Sequence, residues 1–248
     1  MSADVDLAPV AAADVAAAVD RAGRGNPLLG VSTGPGTGLP AAQLADPAGG
    51  ADRRAKAAQL IDAVGAWLRT GEPRVAASMV VLGYAARLVG PTLAVLLREG
   101  ILIDARPSRV VYSYAPDQGF RLTVPQPAGW RGPPEPLRRR WCRDIIDGHL
   151  RQLVDAVRES VPVAAGLLWG NVASGVAGAL RAVAQSEAAP LDACLATGLD
   201  VLAHGPLRGS GHLSVHGGQL RFVRRSCCLY YRLDGGGMCA DCALLPSP

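Results

Sequence analysis

The chain of 248 residues contains one lysine, Lys56, and two phenylalanines, and aromatic residues make up only 4% of it. With Lys56 standing alone, no glycine-rich turn is followed by the lysine that a phosphate-binding loop needs. The basic side is almost entirely arginine, and the formal net charge is just +4. So small a balance excludes a nucleic-acid-binding surface. Scarce rings beside 30 glycines and abundant alanine favour close helix packing through small residues over a sheet built on aromatics. A composition 49% hydrophobic and 19% charged excludes a disordered chain and allows one sizeable domain with a small appendage.

Other absences concern location. The opening stretch carries Asp4 and Asp6 and no basic segment, so a secretory signal is not expected. One run without charge, Val161 to Leu180, is long enough to cross a bilayer. It also holds Pro162, Asn171, Ser174 and glycines at 166, 170, 175 and 178, so it reads as a helix buried in a protein core. The expectation is a cytoplasmic protein with no membrane span. In that compartment structural disulfides are rare and clustered cysteines tend to bind metal.

The apolar pattern predicts a first helix over about 9–24, then a glycine- and proline-rich connection to residue 50. A helix over 51–70 carries Leu60, Ile61, Val64, Trp67 and Leu68 on one face. A helix pair follows over 72–89 and 91–99, with Pro91 placed in a first turn. Three short extended runs, 101–104, 109–114 and 120–124, form one small sheet. A long helix carries Leu137, Trp141, Ile145, Leu150, Leu153 and Val157 on one face, and two more helices occupy about 162–186 and 190–203. From Gly205 the composition shifts to glycine, histidine and cysteine, with a hairpin turning at Gly217 and Gly218. The fold class is therefore α+β: a mainly helical body over 1–204 with a small antiparallel sheet, and a C-terminal cysteine-rich module over 205–248.

Four of the six cysteines fall within sixteen residues, as Cys227-Cys228, ten residues, then Cys239-x-x-Cys242. A spacing of two brings both sulfurs of the second pair to one side of a turn, where they can share a metal. Gly235, Gly236 and Gly237 permit a left-handed backbone that frees amide groups toward sulfur. Adjacent cysteines point to opposite faces of an extended strand, so the chain must bend at Cys227 and Cys228 if both are ligands. Single-ion zinc sites usually space paired ligands two to four residues apart, which favours a two-iron cluster over zinc while leaving both open. For a two-iron cluster the spacing suggests one iron on Cys227 and Cys228 and the other on Cys239 and Cys242. Cys142 and Cys194 lie on helical faces and read as small buried apolar residues.

The tract RRSCCLYYRLDGGGMCADC, Arg224 to Cys242, resembles the C-terminal signature of the FhuF-like ferric siderophore reductases. LLWGNVASGVAGAL, Leu167 to Leu180, resembles the Trp-Gly-Asn segment of the same family. The resemblance implies a [2Fe–2S] cluster on Cys227, Cys228, Cys239 and Cys242, making the C-terminal module an iron–sulfur module. It also implies a cytoplasmic enzyme that reduces ferric siderophore complexes by single electrons, releasing ferrous iron. Arg224, Arg225 and Arg232 beside the ligands are candidates for attracting an anionic complex or for neutralising the thiolates. Two rival readings are a zinc-stabilised interaction module and a siderophore-binding protein whose cluster is structural.

Electrons must come from outside, because the glycines at 34, 36 and 38 lack the spacing of a dinucleotide fold. A ferredoxin, flavodoxin or flavin reductase is the expected donor. Gly30-Val31-Ser32-Thr33-Gly34 fits a serine-hydrolase pattern, but Pro27, Pro35, Gly36 and Gly38 deny it the strand before and the helix after. His204, His212 and His216 read as loop residues, and Arg138, Arg139 and Arg140 as a solvated helix face. Trp169 and Asn171 either line a pocket or form a buried pair in which the amide satisfies backbone.

Overall fold

The computed structural model describes residues 7–45, 47–186 and 189–245. The acidic opening with Asp4 and Asp6 lies outside them. The elements are β1 (Ala8–Val10), α1 (Ala12–Gly23), β2 (Ser32–Thr33), β3 (Leu39–Pro40), α2 (Ala42–Ala45), α3 (Gly50–Trp67) and α4 (Pro73–Glu99). There follow β4 (Ile101–Ile103), β5 (Val111–Ala115), β6 (Gly119–Val124), β7 (Gly129–Arg131), α5 (Pro134–Trp141), a π-helical stretch (Cys142–Leu150) and α6 (Arg151–Ser160). The last elements are α7 (Ala165–Gln185), α8 (Leu191–Leu202), β8 (Gly211–His216) and β9 (Gln219–Arg224). The architecture is predominantly helical α+β, as the hydrophobic periodicity predicts.

α4 and α7 pack along each other at the centre, with α1 and α3 against α4, and α8 and β9 against α7. Both are long and apolar enough to cross a bilayer, but 72% and 78% of those windows lie buried inside the protein. Their apolarity is thus used on each other and on the surrounding elements.

The expected helix pair over 72–99 is one helix. Pro91 lies inside α4 and is buried, although it lacks the amide that helix interiors require. Thr92 Oγ1 donates to the carbonyls of Leu88 and Val89 at 2.8 and 3.2 Å, and the buried run from Leu88 to Leu96 continues as helix. Tertiary burial overrides the local preference of one residue.

The single sheet expected from 101–124 is in fact split. β4 belongs to an antiparallel sheet of order β1-β7-β4, while β5 and β6 sit in a mixed sheet of order β2-β6-β5-β3. Strands of two or three residues, such as β1, β2, β3 and β7, are too short to leave a period in the sequence. The C-terminal hairpin forms where it is expected, with Leu213 opposite Phe222 and Val215 opposite Leu220. Gly217 and Gly218 take φ of +57° and +74°, the doubly left-handed turn that matches strand twist. Leu213, Leu220 and Phe222 join the same hydrophobic core as the helical body.

The long helix expected from 137 to 157 is continuous but passes through the π stretch, where wider winding turns His149 fully inward. Its Nδ1 faces the carbonyl of Ala105 at 2.8 Å, which only accepts, so Nδ1 carries the proton. Nε2 then accepts from the Tyr84 hydroxyl at 2.9 Å. Burial drives the His149 pKa down to about 4, against a smaller upward pull from the Ala105 carbonyl. Because the folded pKa lies below the unfolded value of about 6.5, this contribution is complete above pH 6.5 and fades as pH falls toward 4. About 3 kcal/mol of stability is expected to disappear over that window. Urea midpoints from pH 7 to 4 check it: His149→Gln, less stable at pH 7, should show a shallower dependence over this window than wild type.

Candidate metal centre

β9 ends at Arg224, whose backbone amide donates to the Asp241 carbonyl at 3.1 Å, so the two ends of the cysteine segment are tied together. Between them the chain reverses at Leu229, which takes a left-handed φ of +66° and opens a short 3₁₀ turn, Tyr230–Arg232. A branched residue adopts that conformation at a cost of about 1–3 kcal/mol, maintained only where the surroundings impose it. The turn supplies the bend that the vicinal cysteines require. A second turn, closed by Cys242 N–H to the Cys239 carbonyl at 3.1 Å, carries the other pair.

The geometry brings Cys228 Sγ within 3.6 Å of Cys239 Sγ. Two sulfurs on one tetrahedral metal with bonds of about 2.3 Å stand about 3.8 Å apart, so this separation suits a shared ion. The partners come from different pairs of the sequence pattern, Cys228 from the vicinal pair and Cys239 from the second. Adjacent side chains diverge, so Cys228 is buried at 3% exposure while Cys227 stays half-buried. Cys242 is buried and Cys239 half-buried. All six cysteines are free thiols. Among the described residues no three His, Cys, Asp or Glu side chains converge as a single metal ion requires. A two-iron group takes two thiolates per iron, and of the four cysteines Cys228 and Cys239 are the two whose sulfurs the structure brings into contact.

The amides that reach sulfur are those of Leu229, to Cys227 Sγ at 3.3 Å, and Leu244, to Cys242 Sγ at 3.4 Å. The glycines at 235–237 do not supply them; Gly235 is left-handed and shapes the turn. Burial pushes the Cys239 thiol up to about 12, with the hydrogen bond from Cys228 adding to it. The Asp241 amide and the Arg224 charge pull the other way and are outweighed.

Arg224 has a different place from the one expected. It is 2% exposed, and its Nη2 donates to Asn171 Oδ1 at 2.6 Å and to the Leu167 carbonyl at 3.2 Å. Asn171 Nδ2 in turn donates to the carbonyl and hydroxyl oxygens of Ser78, at 2.8 and 2.9 Å. Ser78 Oγ donates to the Cys228 carbonyl at 2.6 Å. A chain of buried polar groups thus runs from α4 through α7 to Cys228 and back to β9. Gly170 is required beside it: a Cβ there would stand 2.3 Å from Ser226 Oγ and 2.9 Å from Arg224 Nη2. The Trp169-Gly170-Asn171 segment is therefore the socket of the cysteine module, and Asn171 serves structure.

Arg232 pairs with Glu72 at the start of α4, joining the cysteine loop to the body. Arg225 is exposed and its guanidinium is unpaired among the described residues. His204 is held by Asp147 at 2.7 Å, and His212 and His216 sit exposed on the hairpin. The arginines that do line a cavity beside the cysteine loop are Arg69 and Arg87, with Trp67, and the sequence pattern had placed Trp67 on a core face. It is 52% exposed, at the last residue of α3. The detectable signal was its position, one turn past the last buried residues of that face.

Two family models match the chain. One, described as "Ferric iron reductase FhuF-like transporter", covers residues 78–207, more than half of the sequence. The other, described as "FhuF 2Fe-2S C-terminal domain", covers residues 224–244 and so contains Cys227, Cys228, Cys239 and Cys242. No curated protein matches the chain.

Proposed function

Because the chain belongs to the FhuF-like ferric iron reductase family and carries its [2Fe–2S] domain, we propose that it reduces ferric siderophore complexes by single electrons and so releases ferrous iron. The observation that carries this reading is the sulfur contact between Cys228 and Cys239, formed inside the matched segment and anchored through Ser78 and Asn171 to the body that matches the reductase model. Held by the four thiolates, a [2Fe–2S] cluster supplies one electron at a time.

The residues divide the remaining work. Cys228 and Cys242 are buried and root the loop, while Cys227 and Cys239 are half-exposed, leaving one side of the centre within reach of external molecules. Ferric ion is a hard cation that oxygen chelators hold tightly, and the ferrous ion is held far less well, so one electron makes the iron exchangeable. Each 59 mV of mismatch in that transfer costs about 1.4 kcal/mol, which capture of the ferrous product offsets. The electron comes from a separate donor, a ferredoxin, flavodoxin or flavin reductase, and ends on the iron of the chelate. The proposed setting is the cytoplasm, with residues 205–248 as the electron-carrying unit.

Anaerobic protein bleached with dithionite and titrated with ferric siderophores should recover its visible absorbance, one ferrous ion appearing per electron withdrawn. A bleached spectrum unmoved by every ferric complex would leave the cluster a structural element of a chelator-handling protein.

A further inference from the structure

Charge is divided unevenly along the chain. Residues 205–248 carry five arginines against two aspartates, so most of the net charge of +4 sits on less than a fifth of the length. Asp241 is buried and paired with Arg181, Arg224 is enclosed in its socket, and Arg232 pairs with Glu72. Arg221 and Arg225 are left exposed, with no carboxylate partner among the described residues.

The alternation of side chains places these two on one face. Arg224 reaches Asn171, Ser226 Oγ donates to the Gly166 carbonyl at 3.0 Å, and Cys228 is buried, so positions 224, 226 and 228 turn toward the body. Arg221, Arg225 and Cys227 stand in the opposite phase, exposed or half-buried. Across the hairpin Ser214 is opposite Arg221 and His212 opposite Val223, and neither brings an acid to that face. α7 and α8 occupy the other face, against Arg224 and Leu213. A basic surface therefore leads along β9 to the half-exposed Cys227.

Apolar surface accompanies the charge. Among the described residues nine large apolar side chains are exposed, and six belong to this module, Tyr230, Tyr231 and Met238 among them. Tyrosine, methionine and arginine are enriched where proteins meet. Adsorption to lipid is usually the work of an amphipathic helix, whereas this face is a hairpin and a loop.

We propose that the solvent face of β8–β9, continuing to Cys227, is where the electron donor docks, and that the donor is a small acidic protein of the ferredoxin type. Its carboxylates meet Arg221 and Arg225, and opposite charge speeds the encounter. One electron passes into the module and the carrier leaves oxidised by one electron. Electron-transfer encounters bury less than about 1,200 Å² in all, which lets the carrier depart after each turnover. Arg221 precedes Cys227 by six residues, at most about 20 Å of extended chain, so one such footprint covers both. The assignment rests on the reductase reading for the direction of electron flow, but docking can be measured without any ferric complex.

Calorimetric titration of the cluster-loaded protein with an oxidised acidic ferredoxin should show affinity falling at least tenfold between about 0.1 and 1 M salt, as the screening length shrinks from about 10 to 3 Å. Arg221→Glu/Arg225→Glu should lose at least about tenfold in affinity and in the rate of reduction by the reduced ferredoxin, while Arg221→Lys/Arg225→Lys keeps most of both. Photoreduced deazaflavin, small and uncharged, should reduce all three proteins at one rate, with their visible spectra alike. No binding by the wild type, or affinity indifferent to salt and to charge reversal, overturns the surface even if ferric complexes re-oxidise the protein. Charge reversal that removes binding to anionic phosphatidylglycerol vesicles, or breaks a dimer in sedimentation, while ferredoxin affinity is untouched overturns it in favour of a lipid surface or a second copy. Should ferredoxin bind and reduce as expected while no ferric complex re-oxidises the protein, the docking surface stands and the reductase reading falls.

Discussion

Serine at Cys228 is expected to remove the visible absorbance, the bound iron and sulfide, and the iron-releasing activity together. The Cys228 sulfur touches that of Cys239 and its carbonyl is held by Ser78, so no other side chain nearby can take its place. Cys227→Ser, Cys239→Ser and Cys242→Ser should follow it. Cys142→Ala and Cys194→Ala are the controls. Both thiols are buried in the helical body, and burial first, then the nearby Asp147 and Asp200, pushes Cys142 up to about 12. Neither should alter the iron content. Iron and sulfide analysis with visible spectroscopy of anaerobically purified protein decides, and full activity in Cys228→Ser without a cluster would contradict the mechanism.

Asn171→Leu is expected to cost about 3 kcal/mol or more, because it leaves the buried Arg224 cation with only the Leu167 carbonyl and strips Ser78 of a donor. The cost reflects an uncompensated charge, so adding Arg224→Met to the same protein should recover part of it. Chemical denaturation of the single and double variants measures both. Since Ser78 also holds the Cys228 carbonyl, the single variant should lose its cluster faster on exposure to a chelator. Stability within about 0.5 kcal/mol of wild type would show that the socket contributes nothing.

Residues 224–242 carry in linear order the cysteine pattern that the iron–sulfur family model matches, because the four thiols lie close along the chain. The helices with strong apolar periods, α1 and the run through α6, were legible for the same local reason. Pro91 misled, since its effect on a helix depends on what packs around it. The short strands β1, β2, β3 and β7 were invisible, as they exist only through partners far away in sequence: Ser32 pairs with Thr123, and Ala8 with Arg131. Arg224, read as a surface charge beside the ligands, is instead enclosed by α7. Its role depends on Asn171, 53 residues away.

What the sequence determined alone is the chemistry: four thiols at a spacing suited to two irons, on a small-residue helical body. Tertiary structure decided which sulfurs meet, that Asn171 and Gly170 form a socket, and that Trp67, Arg69 and Tyr230 come to share one cavity. Donor type and local spacing are properties of neighbouring residues and survive in the linear order. Convergence of distant side chains is settled only when α3, α4 and the C-terminal loop bury their apolar faces against one another, and no short stretch of sequence contains that information.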